Sequence, residues 1–214
     1  MAKLLVIVGS TRPTRAADRV VPWVLAQAQA QEGFDVELAD LREWPLPIFG
    51  EHPGTLGDIT DPTYSDPLVR AWNKKVKESD AFLIVTPEYN HSVPAVLKNA
   101  IDSVWLSFGF RNKPVATVGY SAGIGGGIRS IEHLAQMFVE TEAVPLRNAT
   151  VLPFVNDAFD DQGQPVNPMT SAALKIMLDD LTWWTAALDK ARAGGELVPG
   201  QLRARAALMA LRKP

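Results

Sequence analysis

The sequence KLLVIVGSTRPTR, residues 3–15, joins a short apolar run to a polar loop. Residues 4–8 are all apolar, which is typical of a parallel strand that is buried on both faces. The run is shorter than the apolar region of a signal peptide and leads directly into a turn. We therefore predict a buried strand over residues 3–8, with a loop at its carboxyl end.

The rest of the chain alternates strand patterns with helix patterns. Continuous apolar runs predict two more buried strands at 81–86 and 114–120, and an alternating pattern predicts a half-buried strand at 34–40. A short last strand is expected at 149–152. Helical patterns fall between and after the strands, at residues 15–31, 67–79, 94–104, 126–141 and 171–192. This order predicts a parallel, doubly wound α/β sheet.

The same pattern predicts one domain over residues 1–192 and a tail over 193–214. Glycines and a proline separate the tail from the preceding helix, and residues 201–212 are a candidate short amphipathic helix. The last helix of the domain carries two adjacent tryptophans. We expect these side chains, Trp183 and Trp184, to pack it against the sheet.

Composition restricts the possible chemistry. The formal net charge is −3, so a broad basic surface for nucleic acid is not expected. The chain has no cysteine and three histidines, which argues against disulfides, iron–sulfur clusters and a histidine-rich metal site. No apolar stretch approaches the roughly 20 residues that cross a bilayer. We expect no metal, nucleic acid or membrane, and redox chemistry would need a bound organic cofactor.

Loop 1, residues 9–15, is a candidate anion site, because ligands of doubly wound sheets bind beyond the carboxyl ends of the strands. It combines hydroxyl groups with Arg12 and Arg15 at the start of a helix. Free N–H groups, the helix dipole and guanidinium groups all favour phosphate. The loop lacks the glycine patterns of triphosphate and dinucleotide binders, so a monophosphate is the simplest ligand. The alternative is a capped surface turn whose arginines are solvated.

Loop 2, residues 86–94, reads TPEYNHSVP. Its prolines stiffen the backbone and hold N–H and C=O groups at fixed positions. Such groups suit the edge of a planar heterocycle, and Tyr89 could cover a ring face. The alternative is a stiff connector in which Tyr89 packs inward and Asn90 caps the next helix.

Loop 3, residues 119–127, reads GYSAGIGGG. Its glycines allow the backbone to approach a ligand closely, although a flexible turn would look the same. The first five residues also match G-x-S-x-G, the nucleophile elbow of α/β-hydrolases, with Ser121 as the nucleophile. A triad needs a histidine after the serine, and the one that follows, His133, lies within the very next helix. A Ser121 hydrolase is therefore a remote alternative.

Together the three loops resemble the NADPH-dependent FMN reductase family, which includes flavin, quinone, azo-dye and chromate reductases. The most distinctive similarity runs from Thr86-Pro87-Glu88-Tyr89-Asn90 to Lys98-Asn99-Ala100-Ile101-Asp102. The whole similarity extends from residue 3 to about residue 155. It implies a flavodoxin-like three-layer α/β/α sandwich with a five-stranded parallel sheet of order 2-1-3-4-5. It also implies FMN as the bound cofactor and NAD(P)H as the reductant.

The resemblance also implies roles for individual residues. Ser10, Arg12 and nearby amides would hold the FMN phosphate, and Arg15 stands where some members carry a serine. The isoalloxazine ring would be lined by Pro87, Glu88, Tyr89 and Asn90 and closed by Tyr120, Ser121, Ala122, Gly123 and Gly125. No catalytic side chain is expected, because the flavin supplies the chemistry. His91 is a weak candidate for proton donation or nicotinamide binding, and a capping or solvent-facing position is the alternative.

We therefore predict an FMN-dependent oxidoreductase that moves reducing equivalents from NAD(P)H to a small acceptor, such as a quinone, a flavin or an azo compound. The resemblance implies a homodimer or higher homo-oligomer, and the lack of cysteine is compatible with the cytoplasm. A flavodoxin-type electron carrier and a redox-regulated flavoprotein with a protein partner are alternatives. Three aromatic residues are candidates for the acceptor pocket, a dimer interface or the core: Trp105, Phe108 and Phe110.

Overall fold

The computed structural model describes residues 1–52, 54–58 and 62–211. A parallel sheet runs through it, built from β1 (Ala2–Val8), β2 (Phe34–Asp40), β3 (Ala81–Pro87), β4 (Pro114–Tyr120), β5 (Val144–Pro145) and β6 (Thr150–Leu152). The strand order is β2-β1-β3-β4-β5, and β6 also pairs with β4. The predicted parallel sheet of order 2-1-3-4-5 is confirmed.

The fifth position of the sheet is divided between two short strands. β4 advances three residues from Val115 to Val118, whereas the opposite edge advances five residues from Pro145 to Thr150. The two extra residues interrupt the pairing. The strand predicted at 149–152 is therefore only the second half of this edge.

Within the described ranges, six α-helices connect or follow the strands: α1 (Ala17–Ala30), α2 (Pro67–Glu78), α3 (Ala95–Asp102), α4 (Ile128–Glu140), α5 (Pro168–Ala193) and α6 (Gly200–Leu211). Asp66 caps α2 by accepting from the amides of Leu68 and Val69. Asn167 caps α5, and a proline follows it at the first helical position. This cap starts α5 three residues before the predicted start at residue 171.

The sheet separates two apolar layers, as the three-layer prediction requires. Alternate residues of β1 face opposite sides: Leu4 and Val6 join the layer under α1 and α5, whereas Leu5 and Ile7 join the layer under α2, α3 and α4. Burial on both faces explains why β1, β3 and β4 are continuous apolar runs. The edge strand β2 is partly exposed and alternates instead.

The outer surface of α5 differs from the prediction. Trp183 is 64% exposed and Trp184 is 38% exposed, so the expectation that they pack α5 against the sheet was wrong. Helical spacing gives that contact to Leu174, Met177, Leu178 and Leu181. The tryptophan rings pack on each other, with centroids 5.2 Å apart.

The predicted tail contains α6, none of whose described side chains is buried. Its first residue is held where the Gly200 amide donates to Glu142 Oε1 at 2.7 Å. Arg212, which the sequence placed at the end of this helix, lies outside the described residues. Within the described part of the chain, no helix has both the length and the apolar character needed to cross a bilayer.

Candidate functional site

The three predicted loops meet at one edge of the sheet. Loop 1 follows β1, loop 2 follows β3 and loop 3 follows β4, and these strands are neighbours. Loops 1 and 2 touch where the Ser10 and Tyr89 hydroxyl oxygens lie 2.7 Å apart. Loops 2 and 3 touch where the Glu88 amide donates to the Tyr120 carbonyl at 3.0 Å. The fold therefore assembles the polar cluster that the sequence predicted.

Loop 1 presents a run of unpaired backbone donors. Six N–H groups of loop 1 and of the residue that precedes α1 have no acceptor in the described part of the chain: those of Ser10, Thr11, Arg12, Thr14, Arg15 and Ala16. The exposed ones can bind water. Ser10, however, is fully buried. An unpaired buried donor costs about 1–3 kcal/mol, which a bound anion would recover.

A second buried donor without a partner, after the Ser10 amide, lies beneath loop 1. Tyr120 is buried beside Ser10 and Tyr89, and its hydroxyl oxygen has no hydrogen-bond partner among the described residues. Burial raises the pKa of the Tyr120 phenol well above its ordinary value, so it keeps its proton and can donate. The oxygen atoms of an ionised phosphate ester accept hydrogen bonds, so they would satisfy such donors. The donors in and beneath loop 1 therefore fit the phosphate of FMN.

The two arginines of loop 1 have different surroundings. Arg12 is exposed, and its guanidinium carbon lies 5.6 Å from the centroid of the Tyr89 ring. The side chain of Arg15 is only 5% exposed. Its Nη1 donates to Asp40 Oδ1 at 2.7 Å, and its Nε donates to Asp18 Oδ1 at 2.8 Å. Arg15 thus serves acceptors of the chain itself, whereas Arg12 remains open to a ligand.

Loop 2 contains a tight two-residue turn. The backbones of Tyr89 and Ser92 exchange hydrogen bonds of 2.8 and 3.0 Å around Asn90 and His91. The φ angles of Asn90 and His91 are 48° and 70°, as a type I′ turn requires, and Asn and His tolerate this region better than most residues. The N-cap of α3 is Pro94. Asn90 therefore shapes the tip of loop 2 and does not cap α3.

Helix α4 holds loop 2 from the side, which the sequence did not reveal. Arg129 pairs with Glu88 at 2.7 Å, and the Ser130 hydroxyl lies 2.9 Å from the Pro87 carbonyl. His133 Nδ1 lies 2.8 Å from the hydroxyl of Ser92. All three residues fall on the first two turns of α4. Their position directly after the glycines of loop 3 is the one signal in the sequence that points to them.

This arrangement leaves the hydrolase alternative without its machinery. The Ser121 hydroxyl donates to the Gly123 carbonyl at 3.0 Å. His133 is bonded to Ser92 instead, and His91 lies in loop 2 with its ring 6.4 Å from that of His133. In the described structure Ser121 is therefore not paired with a general base.

The glycines of loop 3 serve packing as well as access. Gly126 and Gly127 have φ angles of 58° and 89°. A Cβ atom on Gly127 would lie 2.3 Å from the Tyr120 amide nitrogen, whereas a Cβ on Gly123 would meet nothing within 4 Å. The last glycines thus bring α4 against β4, while Ala122 and Gly123 form the exposed rim of the site.

The three candidate aromatic residues lie in different places. Trp105 lines a cleft of about 560 Å³ between α3 and α4, and no residue of the three loops lines this cleft. It approaches loop 2 through His133 of α4, which contacts Ser92. Phe110 is buried in the core against Phe82 and Phe138. Phe108 ends a short 3₁₀ turn with a φ of 55°.

A second cleft, of about 350 Å³, lies beside loop 1 and is lined by Thr11, Leu41, Trp44 and Val96 among others.

The sheet order and the three loops correspond to a known family. The family model described as NADPH-dependent FMN reductase matches residues 2–157. The chain belongs to this family. Membership confirms the expected kind of enzyme, an NAD(P)H-dependent oxidoreductase, and FMN as its cofactor.

Curated relatives agree with this assignment. An NAD(P)H-dependent FMN reductase of Schizosaccharomyces pombe is 36% identical over 152 residues, covering 71% of this chain and 74% of the relative. An NADPH:quinone oxidoreductase of Arabidopsis thaliana is 34% identical over 165 residues, covering 73% of this chain and 77% of the relative. Both alignments exceed two thirds of each protein.

A solved structure agrees on the fold. The flavoenzyme NAD(P)H:(acceptor) oxidoreductase FerB of Paracoccus denitrificans superposes with a TM-score of 0.68 at 24% identity. The superposition covers 87% of this chain and 98% of FerB. The flavodoxin-like fold inferred from the three loops is therefore confirmed.

Proposed function

We propose that this protein binds FMN at the three loops and passes reducing equivalents from NAD(P)H to a small acceptor, such as a quinone, a free flavin or an azo compound. The observation that carries the proposal is the set of unpaired donors in and beneath loop 1, at the edge of the sheet where ligands bind. When bound, FMN would supply the hydride chemistry. The protein's own residues bind and orient the reactants.

The phosphate end of the site is formed by loop 1. The amides of residues 10–12 and 14–16 and the hydroxyl of Tyr120 offer hydrogen bonds, and the exposed guanidinium of Arg12 offers a charge. The start of α1 adds a partial positive charge. Ser10 contributes its amide and also holds Tyr89 through its hydroxyl.

The ring end of the site is formed by loops 2 and 3. Pro87, Glu88, Tyr89 and Asn90 present a backbone that α4 fixes in place, and residues 121–125 form the opposite rim. Glu88 is tied to Arg129, so it is a positioning group and not a free acid. His91 lies at the tip of loop 2 and is exposed, so it is available to a nicotinamide or an acceptor.

We further propose a cytoplasmic homodimer or higher homo-oligomer. The support is the family resemblance and the absence of cysteine, which suits a reducing compartment.

The apolar cleft beside loop 1 is large enough for a small aromatic acceptor.

Steady-state turnover tests the proposal. Protein stripped of flavin is mixed with NADPH and a benzoquinone, and nicotinamide oxidation is followed before and after FMN is added. We expect turnover only with FMN, in the absence of any other protein. An electron carrier would turn over only when a separate reductase is supplied, and that result would contradict the proposal.

A further inference from the structure

Asp40 closes loop 1 from the neighbouring strand. It is the last residue of β2 and lies opposite Val8 of β1, directly before the loop. Both oxygens of its carboxylate accept from the two terminal nitrogens of Arg15, and the Nη1–Oδ1 distance is 2.7 Å. Nη1 also donates to the Ser10 carbonyl. One guanidinium therefore joins the beginning of loop 1, its end and strand β2.

A second arginine braces the middle of the same loop. Arg42 Nη2 donates to the Arg12 carbonyl at 2.6 Å and approaches the Pro13 carbonyl at 3.3 Å. Its amide donates to Asp40 Oδ1 at 3.0 Å. Three carbonyl oxygens of loop 1 are thus taken by arginines. The N–H groups of residues 10–12, 14 and 15 have no acceptor among the described residues, as a backbone anion site requires.

The charges show that the ion pair of Asp40 with Arg15 is not itself the phosphate site. Burial alone would raise the pKa of Asp40, but hydrogen bonds from Arg15 and from the Arg42 amide lower it below its ordinary value. The same hydrogen bond raises the pKa of Arg15, so both groups of the pair are held in their charged forms. Asp40 is therefore an anion at neutral pH and would repel a nearby phosphate. Its presence there needs another reason.

We propose that Asp40 and Arg15 are positioning residues that hold loop 1 in its phosphate-binding conformation before the cofactor arrives. This inference rests on the proposed function, because it takes the FMN phosphate as the ligand of loop 1. A loop that is already ordered loses little conformational entropy when the cofactor binds, so the free energy of binding is more favourable. The contribution is expected mainly at the phosphate end, since neither residue forms a hydrogen bond or an ion pair with loop 2 or loop 3 in the described structure.

Binding of FMN and of riboflavin, which lacks the phosphate, tests the proposal in the Asp40→Asn variant. Fluorescence titration of the stripped protein should show FMN binding weakened about 10-fold or more, with riboflavin binding unchanged within about 2-fold. The matched control is Asp35→Asn, which removes the same charge from the exposed far end of β2. A purely electrostatic role predicts the opposite sign, because removing an anion should strengthen FMN binding. Stronger or unchanged FMN binding, or an equal loss of riboflavin, would overturn the proposal.

A second readout needs no flavin. Backbone ¹⁵N order parameters of residues 11, 12 and 14–16 should be near 0.85 in the unchanged protein, as in rigid backbone, and should fall toward 0.6 in Asp40→Asn and Arg15→Lys. A lysine keeps the charge of Arg15 but lacks its two-pronged geometry. Order parameters that stay unchanged in both variants would refute the positioning role. If the unchanged protein binds no FMN, the proposed function fails, whereas the order parameters still decide whether the ion pair orders the loop.

Discussion

At the scale of single residues, Arg12 and Arg15 lie three positions apart in loop 1 but have different environments and different partners. Arg12 is solvent-exposed beside the Tyr89 ring, and Arg15 is enclosed by two carboxylates. The sequence predicted both as phosphate ligands because both are cations at a helix start. It contained no local sign that Arg15 would meet Asp40, 25 residues away. Long-range pairing of this kind is decided by strand adjacency, which composition does not show.

Asn90 provides a prediction at the same scale. Its φ angle of 48° is accessible to asparagine and glycine but strained for a β-branched residue. We expect Asn90→Val to lower the free energy of unfolding by about 1–3 kcal/mol. Asn90→Gly, the matched control, should change it by less than about 1 kcal/mol. Urea denaturation of both variants gives the comparison, and an equally stable Asn90→Val would show that the turn has another conformation.

At the scale of elements, the contact between α4 and β4 depends on Gly127. Its φ angle of 89° and the 2.3 Å approach of a would-be Cβ to the Tyr120 amide leave no room for a side chain. We expect Gly127→Ala to destabilise the protein by about 2–4 kcal/mol and to weaken flavin binding, because Tyr120 and loop 3 must move.

Gly123→Ala is the control for stability. The added methyl group meets nothing within 4 Å, and the residue has no positive φ. Thermal unfolding of the two variants should therefore separate them clearly. Equal melting temperatures would contradict the packing role assigned to Gly127.

The elements themselves were largely predictable, and the exceptions have physical causes. Strands β2 and β4 have the predicted bounds, since alternation or continuous burial leaves a direct trace in the sequence. The divided fifth strand was missed, because its two extra residues are a matter of register with β4. The exposed Trp183 was placed wrongly, because large apolar side chains are usually buried but the helical phase of α5 turns this one outward.

The sequence predicted which loops form the candidate site, but it did not predict the contacts between their residues. The compositions of loops 1, 2 and 3 are unusual and lie after apolar strands, so their residues could be named. Glu88 and Tyr120 could be named in the same way, but the ion pair of Glu88 with Arg129 and the unpaired hydroxyl of Tyr120 appear only in three dimensions.

At the scale of the whole molecule, one buried cation lies away from the three loops. Lys113 directly precedes β4, is 8% exposed and donates to the carbonyls of Val76 and Lys77 at 3.1 and 2.8 Å. Burial, together with the nearby Arg192, lowers the pKa of Lys113 to about 8, against an ordinary value of 10.5. Between these two values the unfolded chain binds more protons at this residue than the folded chain.

Stability linked to Lys113 should therefore rise with pH across that window. Relative to Lys113→Met, which has no such titration, the unchanged protein should gain on the order of 1–3 kcal/mol in free energy of unfolding between about pH 8 and pH 10. Urea denaturation at a series of pH values measures the difference. Parallel curves for the two proteins would show that the lysine titrates normally in the folded state.

The central claim, that the three loops bind an FMN which NAD(P)H reduces, is tested most directly by an absorbance spectrum. Purified protein is supplied with FMN, freed of the excess and recorded without oxygen before and after NADPH is added. We predict flavin bands that stay with the protein and bleach on addition of NADPH. A colourless protein that retains no FMN, or a bound flavin that NADPH leaves oxidised, would contradict the account.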